Sequence, residues 1–232
     1  MSELTAPAEG DPAVVVARTR EDVLVGDELV RHRLSSRVMH WTVAVTFMVT
    51  LITGMPIWTP IFGWMAALVG GLHVCRWLHP WSGAAFFAGM LWMFFHWIAP
   101  MRFTDDDRKW LSPSQIFKYM MYPAGSDQNV GKYNGGQKLF FFVVVLDAIL
   151  LFATGFFLWW PRFFPAALRE WSIPLHDIAF LAFTVSILGH VYLGTVAFPG
   201  TFSAMVRGTV MKAWARLHHP KWYRDVTGDK RS

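Results

Sequence analysis

Four stretches of the chain, near 38 to 58, 80 to 99, 138 to 160 and 173 to 198, are apolar and almost free of charge. A helix of about 20 such residues crosses a bilayer, so each stretch predicts a transmembrane helix. The segment 59 to 79 is also apolar, but Pro60, Gly63, Gly70 and Gly71 interrupt it. That pattern predicts an interfacial or re-entrant loop rather than a fifth crossing. The first 36 residues carry Pro, Glu, Asp and Arg and no apolar run longer than Ala13 to Ala17. They are no signal peptide and read as a flexible or peripheral extension. Residues 100 to 137 hold the charged run Asp105 to Lys109 and a Pro/Gly/Ser/Asp stretch at 123 to 127, which predicts an exposed loop with one short helix near 113 to 121.

Composition agrees with a membrane protein. Of 232 residues, 54% are apolar and 16% charged, against roughly 45–50% and ~25% in an average soluble domain. The single cysteine, Cys75, excludes an internal disulfide, a zinc ribbon, a four-cysteine iron–sulfur cluster and a Cys-x-x-Cys-His haem attachment. The net charge of +5 is spread along the chain without a basic stripe, so no nucleic-acid partner is expected.

The distribution of that charge gives a direction. Lys and Arg number five in the N-terminal arm, six between residues 102 and 138, and seven in the tail, while the other two loops hold one and two. By the positive-inside rule both termini are cytoplasmic. The expected fold is an all-α membrane protein, a four-helix transmembrane bundle. Residues 1–36 form a cytoplasmic extension, 37–200 the bundle, and 201–232 a partly helical cytoplasmic tail.

Five of the nine histidines, His40, His79, His96, His176 and His190, sit in or at the edge of a span. An ionisable residue inside a membrane is a functional candidate. His176 and His190 are 14 residues apart, a rise of about 21 Å and a rotation about 40° short of four turns, so they share a face near opposite ends of the last span. His40 opens the first span on the inner side and His79 the second on the outer side. Each histidine of the last span thus has a partner at its own depth, His190 with His40 and His176 with His79. Two facing neutral imidazoles suit a six-coordinate haem, and two such pairs imply two stacked haems.

Gly54, 14 residues after His40, offers bare helix surface at the depth of the outer pair; Gly83 and Gly189 are compatible with the same use or with small-residue packing. His96 is rotated about 100° from His79 and is set aside, as are His32, His73, His218 and His219. Asp147 near mid-bilayer and Asp177 beside His176 belong either to a proton relay or to hydrogen-bonded structure, and the structural use is favoured.

The segments Arg37-Val-Met-His40-Trp-Thr, Arg76-Trp-Leu-His79-Pro and Gly131-Lys-Tyr-Asn134-Gly-Gly136-Gln137-Lys, with His176, His190 and the tail His218-His-Pro-Lys-Trp-Tyr-Arg224, resemble the gamma subunit of respiratory formate dehydrogenase. That subunit is a membrane dihaem cytochrome b, and the likeness runs over about residues 31 to 226. The resemblance implies two b haems held by His40, His79, His176 and His190. It also implies a quinone pocket (menaquinone or ubiquinone) near the inner haem, formed by Asn134, Gly136, Gln137 and His190. Amides there can hydrogen-bond a quinone carbonyl, although the same residues equally make a helix cap. Arg37 and Arg76 match and would pair with haem propionates, or snorkel without such a role.

The longer N-terminal arm and Asp147 lie outside the family pattern. The implied partners are an iron–sulfur subunit and a molybdenum- or tungsten-containing catalytic subunit, in a bacterial inner membrane. Electrons would pass from the iron–sulfur subunit at the outer face through the outer and inner haems to quinone, which takes its protons from the cytoplasm. Cytochromes b of nickel–iron hydrogenases and thiosulfate reductases look similar at the histidines. A haem-free transporter or anchor is the reading from another class.

Overall fold

The computed structural model describes residues 11–121 and 129–229, and the chain divides into two compact units. The first comprises residues 39–99 and 141–188; the second comprises the described parts of 1–38, 100–140 and 189–232. In chain order the elements are α1 (Pro12–Val16), β1 (Val23–Val25), β2 (Glu28–Val30), α2 (Leu34–Trp58), a 3₁₀ stretch (Pro60–Val69), α3 (Leu72–Trp97), α4 (Asp105–Trp110), α5 (Pro113–Met121), α6 (Gly135–Trp159), a 3₁₀ turn (Pro161–Phe163), α7 (Ala166–Tyr192), a π turn (Leu193–Ala197), α8 (Ser203–Val206), β3 (Thr209–Met211), α9 (Lys212–His218) and α10 (Pro220–Thr227).

Among the described residues three helices are long and apolar enough to cross a membrane: α2, α6, and α7 continued through Ala197. The 3₁₀ stretch and α3 together make a fourth if they are taken as one span, bent by 83°. The break between them is Gly70–Gly71, with φ of 96° and 110°, a left-handed conformation that side chains resist. The sequence pattern places a loop over 59 to 79 and a helix from 80. Instead, the first part of that segment is 3₁₀ and α3 begins at Leu72. Pro80 does not start the helix; it sits inside it, removing one i→i−4 hydrogen bond without ending the run. His79 is therefore within α3 rather than at its opening.

In the first unit, Phe47 of α2, Phe86 of α3 and Phe183 of α7 meet with ring centroids 4.9 to 5.7 Å apart. Phe87 and Phe152 stack at 4.1 Å. A Cβ added to Gly89 would stand 3.0 Å from Val43 Cγ2, so the glycine brings α2 and α3 close. Aromatic surface buried at such spacings supplies the packing that hydrophobic burial cannot supply inside a lipid phase.

The second unit departs from the all-α expectation. Residues 23–30 form a hairpin, and β2 pairs on its other edge with β3 from the tail, giving an antiparallel sheet of order β1-β2-β3 with Leu29 opposite Val210. Strands of three residues are too short for alternation to announce them. Leu29, Val210, Ala204, Trp214, Ala215, Trp222 and Tyr223 make the core of this unit. Gly208 has φ of 89°, and a Cβ there would lie 2.6 Å from the His32 carbonyl, so only glycine admits the entry to β3.

The Arg31 guanidinium lies 5.1 to 5.6 Å from the rings of Tyr133, Trp214 and Trp222 and donates to the Lys132 carbonyl. The N-terminal arm from Asp11 onward is thus packed against the tail rather than peripheral. The described part of the tail holds α8, β3, α9 and α10, and α5 spans Pro113–Met121. The Pro/Gly/Ser/Asp stretch at 123 to 127 lies outside the described residues, as do residues 1–10 of the extension and 230–232 of the tail.

Candidate functional site

His79 of α3 and His176 of α7 face each other in the first unit, their ring centroids 6.2 Å apart and their planes at 80°. Each ring is tethered through Nδ1. His79 Nδ1 lies 3.0 Å from the Thr50 carbonyl. A carbonyl only accepts, so Nδ1 carries the proton and Nε2 the lone pair. His176 Nδ1 lies 2.8 Å from Thr154 Oγ1. The single Thr154 hydroxyl proton is used 2.7 Å away on the Leu150 carbonyl, which leaves its oxygen to accept from His176 Nδ1–H. Both rings are thereby set as neutral tautomers with the lone pair on Nε2, an arrangement that also suits a metal-binding imidazole.

With 6.2 Å between their centroids and a lone pair on each Nε2, His79 and His176 are the residues that would hold a haem iron, which would supply one-electron chemistry there. Glycines make the room: a Cβ on Gly54 would fall 2.7 Å from His79 Cε1, and one on Gly155 3.2 Å from His176 Cε1. Gly54 therefore clears space for an imidazole, not for the flat face of a macrocycle as its spacing from His40 implies. Gly155, Thr50 and Thr154 escape the sequence reading. The sequence does not mark the threonines, because each bonds its own i−4 carbonyl as a threonine in an apolar helix commonly does. Gly83 and Gly189 meet nothing closer than 3.8 Å and clear no such space.

His40, also in the first unit, packs edge-on against Trp41 at 5.4 Å. In the second unit, His190 stacks on Phe140 at 5.0 Å and 7°, three residues before the π turn at Leu193–Ala197. Such turns are frequent at functional positions. His96 lies edge-on to Trp97. Asp147 and Asp177 are half-buried.

At the start of α6, Asn134 Oδ1 accepts from Gln137 N at 2.8 Å, and Gln137 Oε1 accepts from Asn134 N at 3.0 Å. This reciprocal pair is a capping box and satisfies two orphan backbone donors of the helix. Gly136 abuts the Trp110 ring, which a Cβ would approach to 2.9 Å. Beside the cap, Lys138 Nζ donates to Asp107 Oδ2 at 2.6 Å. Burial pushes the Asp107 carboxyl up, but Lys138 and Thr104 outweigh it and hold the group below the usual range.

Arg37 is buried and donates through Nη1 to the Val206 carbonyl at 2.7 Å, while Arg76 is exposed on α3. Of the histidines set aside, His219 is fully buried with Nδ1–H donating to the Gly131 carbonyl at 2.7 Å. Burial, reinforced by the Arg31 charge, keeps its pKa well below the usual histidine value.

The family model of prokaryotic cytochrome b561 matches residues 31–208. The chain is 34% identical over 203 residues to the formate dehydrogenase cytochrome b556(fdo) subunit of Escherichia coli (strain K12), covering 86% of this chain and 94% of that protein. It is 30% identical over 201 residues to the nitrate-inducible cytochrome b556(Fdn) subunit of the same organism, covering 85% and 91%. It is also 30% identical over 202 residues to the formate dehydrogenase cytochrome b556 subunit of Haemophilus influenzae, covering 85% and 83%.

Proposed function

The chain belongs to the prokaryotic cytochrome b561 family and to the cytochrome b subunits of formate dehydrogenase, and from that premise we propose a dihaem, quinone-reducing subunit. As a family member it is an integral membrane protein that binds haem b and serves electron transfer in an enzyme complex. The finer reading is two haems per chain, one held by His79 and His176 and the other by His40 and His190. The observation that carries it is the His79–His176 pair, 6.2 Å apart with both Nδ1 atoms tethered. The second pair is supported by the spacing of the apolar segments, which sets His40 and His190 at one depth.

Held by these histidines, haem b would supply one-electron transfer between an iron–sulfur partner subunit and quinone. The chain's own residues orient and insulate. Thr50 and Thr154 fix the tautomers, Gly54 and Gly155 clear the rings, and the Phe47, Phe86 and Phe183 cluster keeps water from the interior. Quinone is assigned to Asn134, Gly136, Gln137 and His190. There the cap holds Gln137 by its oxygen, and its amide nitrogen serves as donor to a quinone carbonyl. The excess of Lys and Arg at the termini and the 102–138 loop puts this end of the chain in the cytoplasm of a bacterium, so that protons for quinone come from inside.

Arg37, committed to Val206, and Arg76 are assigned to haem propionates on the strength of the resemblance alone. Formate oxidation belongs to the partner subunits, a molybdenum or tungsten protein and its iron–sulfur companion. The relatives' names favour formate over hydrogen or thiosulfate as the partner's substrate. The test is haem content of single variants: His79→Ala and His176→Ala each lose the same haem, and His40→Ala and His190→Ala each lose the other. Four variants that all retain two haems would defeat the assignment.

A further inference from the structure

His79 and His176 differ in what accepts their Nδ1 protons. For His79 the acceptor is a backbone carbonyl, which no side-chain change removes. For His176 the nearest acceptor is the Thr154 hydroxyl, 3% exposed and itself donating to the Leu150 carbonyl at 2.7 Å, with the Leu151 carbonyl as a further backbone partner of the ring. A hydroxyl that donates is a stronger acceptor, because the two bonds polarise one another in a low-dielectric interior. The relay therefore runs from His176 Nδ1–H to Thr154 Oγ1 and from Thr154 O–H to the Leu150 carbonyl, and it draws the imidazole proton away from the ring.

We propose that Thr154 is a positioning residue that sets the electron-donor strength of His176 and so lowers the reduction potential of the haem held by His79 and His176. The inference rests on the reading of His176 as a ligand. A ring whose Nδ1 proton is partly withdrawn carries more electron density at Nε2, and a stronger donor favours the oxidised metal. Thr154 touches neither iron nor quinone; it acts through His176.

The experiment is a potentiometric titration of both haems in the purified complex, with haem content measured on the same samples, for wild type, Thr154→Val and Thr154→Ser. Thr154→Val keeps the volume and removes the acceptor. It is expected to retain two haems and to shift one of them roughly threefold to tenfold toward the reduced form, ~30–60 mV upward at 59 mV per tenfold for one electron. Thr154→Ser retains the hydroxyl and is expected to titrate as wild type. If Thr154→Val does not hold haem, Thr154→Ala is read in the same way. Unchanged potentials in the acceptor-free variant, or an equal shift in Thr154→Ser, overturn the proposal. His176→Ala separates the two layers: if it keeps both haems at wild-type potentials, the ligand reading has failed, whatever Thr154 does.

Discussion

The unit that carries His79 and His176 and the unit that carries the sheet are held together in different ways. In the first, the polar bonds that matter reach from a histidine to the neighbouring helix, and packing between helices is aromatic or close through glycine. In the second, polar side chains bind partners far along the chain: Lys132 to Glu21, 111 residues away; Arg37 to the Val206 carbonyl, 169 away; and Arg207 to Asp11, 196 away. An apolar interior without water leaves the first unit only shape and satisfied hydrogen bonds as means of specification. The second has its charges at hand and uses them to fasten the N-terminal arm to the tail.

The comparison can be broken most strongly in the first unit. His176→Ala is expected to remove one of two haems outright, read as a haemochrome count per chain. Gly54→Val comes next: a branched side chain where even a Cβ falls 2.7 Å from His79 Cε1 displaces the ring. The same haem is expected to be lost or greatly reduced, whereas Gly83→Ala, with its nearest neighbour at 3.8 Å, is expected to keep both. Full haem content in Gly54→Val would mean that the glycine does not serve His79.

In the second unit the expected losses are of stability and leave haem content unchanged. Asp107→Asn removes the counter-charge of Lys138 in a site where both side chains are under a tenth exposed, leaving the Arg102 carbonyl as a neutral partner, at a cost of about 3 kcal/mol. Arg31→Ala removes three ring contacts and a carbonyl bond and is expected to cost about 2 kcal/mol. Both are read as a lower thermal midpoint and faster proteolysis of the sheet-bearing unit.

The smallest effect is in pH. His219 is neutral in the fold because burial and the Arg31 charge depress its pKa, while the unfolded chain takes up a proton near pH 6.5. The unfolded state then binds more protons, so this contribution is present above about pH 6.5 and is lost as pH falls below it. A thermal midpoint that declines from pH 7.5 to 5.5, with a flatter decline in His219→Gln, is the expected result.

The contrast also explains what was legible in the sequence. Uninterrupted apolar runs and a 14-residue histidine spacing are local properties, so four apolar spans were expected, of which three helices are long and apolar enough to cross and a fourth is a bent pair, and the approach of His79 to His176 was legible. Thr154 could not, because a threonine in an apolar helix looks the same whether it bonds only its own i−4 carbonyl or also accepts from a histidine. Residues 1–36 read as a loose extension because three-residue strands carry no period and their partner, Thr209–Met211, lies about 180 residues downstream. The start of α3 was misplaced because Gly70 and Gly71 read as part of a longer interruption, whereas they end it at Leu72 and Pro80 is tolerated inside the helix. Asn134 and Gln137 were legible as a pair three apart, and the bond that joins them is a cap.

The proposed electron path requires two b haems per chain, each held by a pair of histidines. A pyridine haemochrome assay of the purified complex, normalised to this subunit, tests that most directly. Two haems b per chain, falling to one in His176→Ala, are predicted. A single haem in the wild-type complex, or none in folded protein supplied with haem, would contradict it.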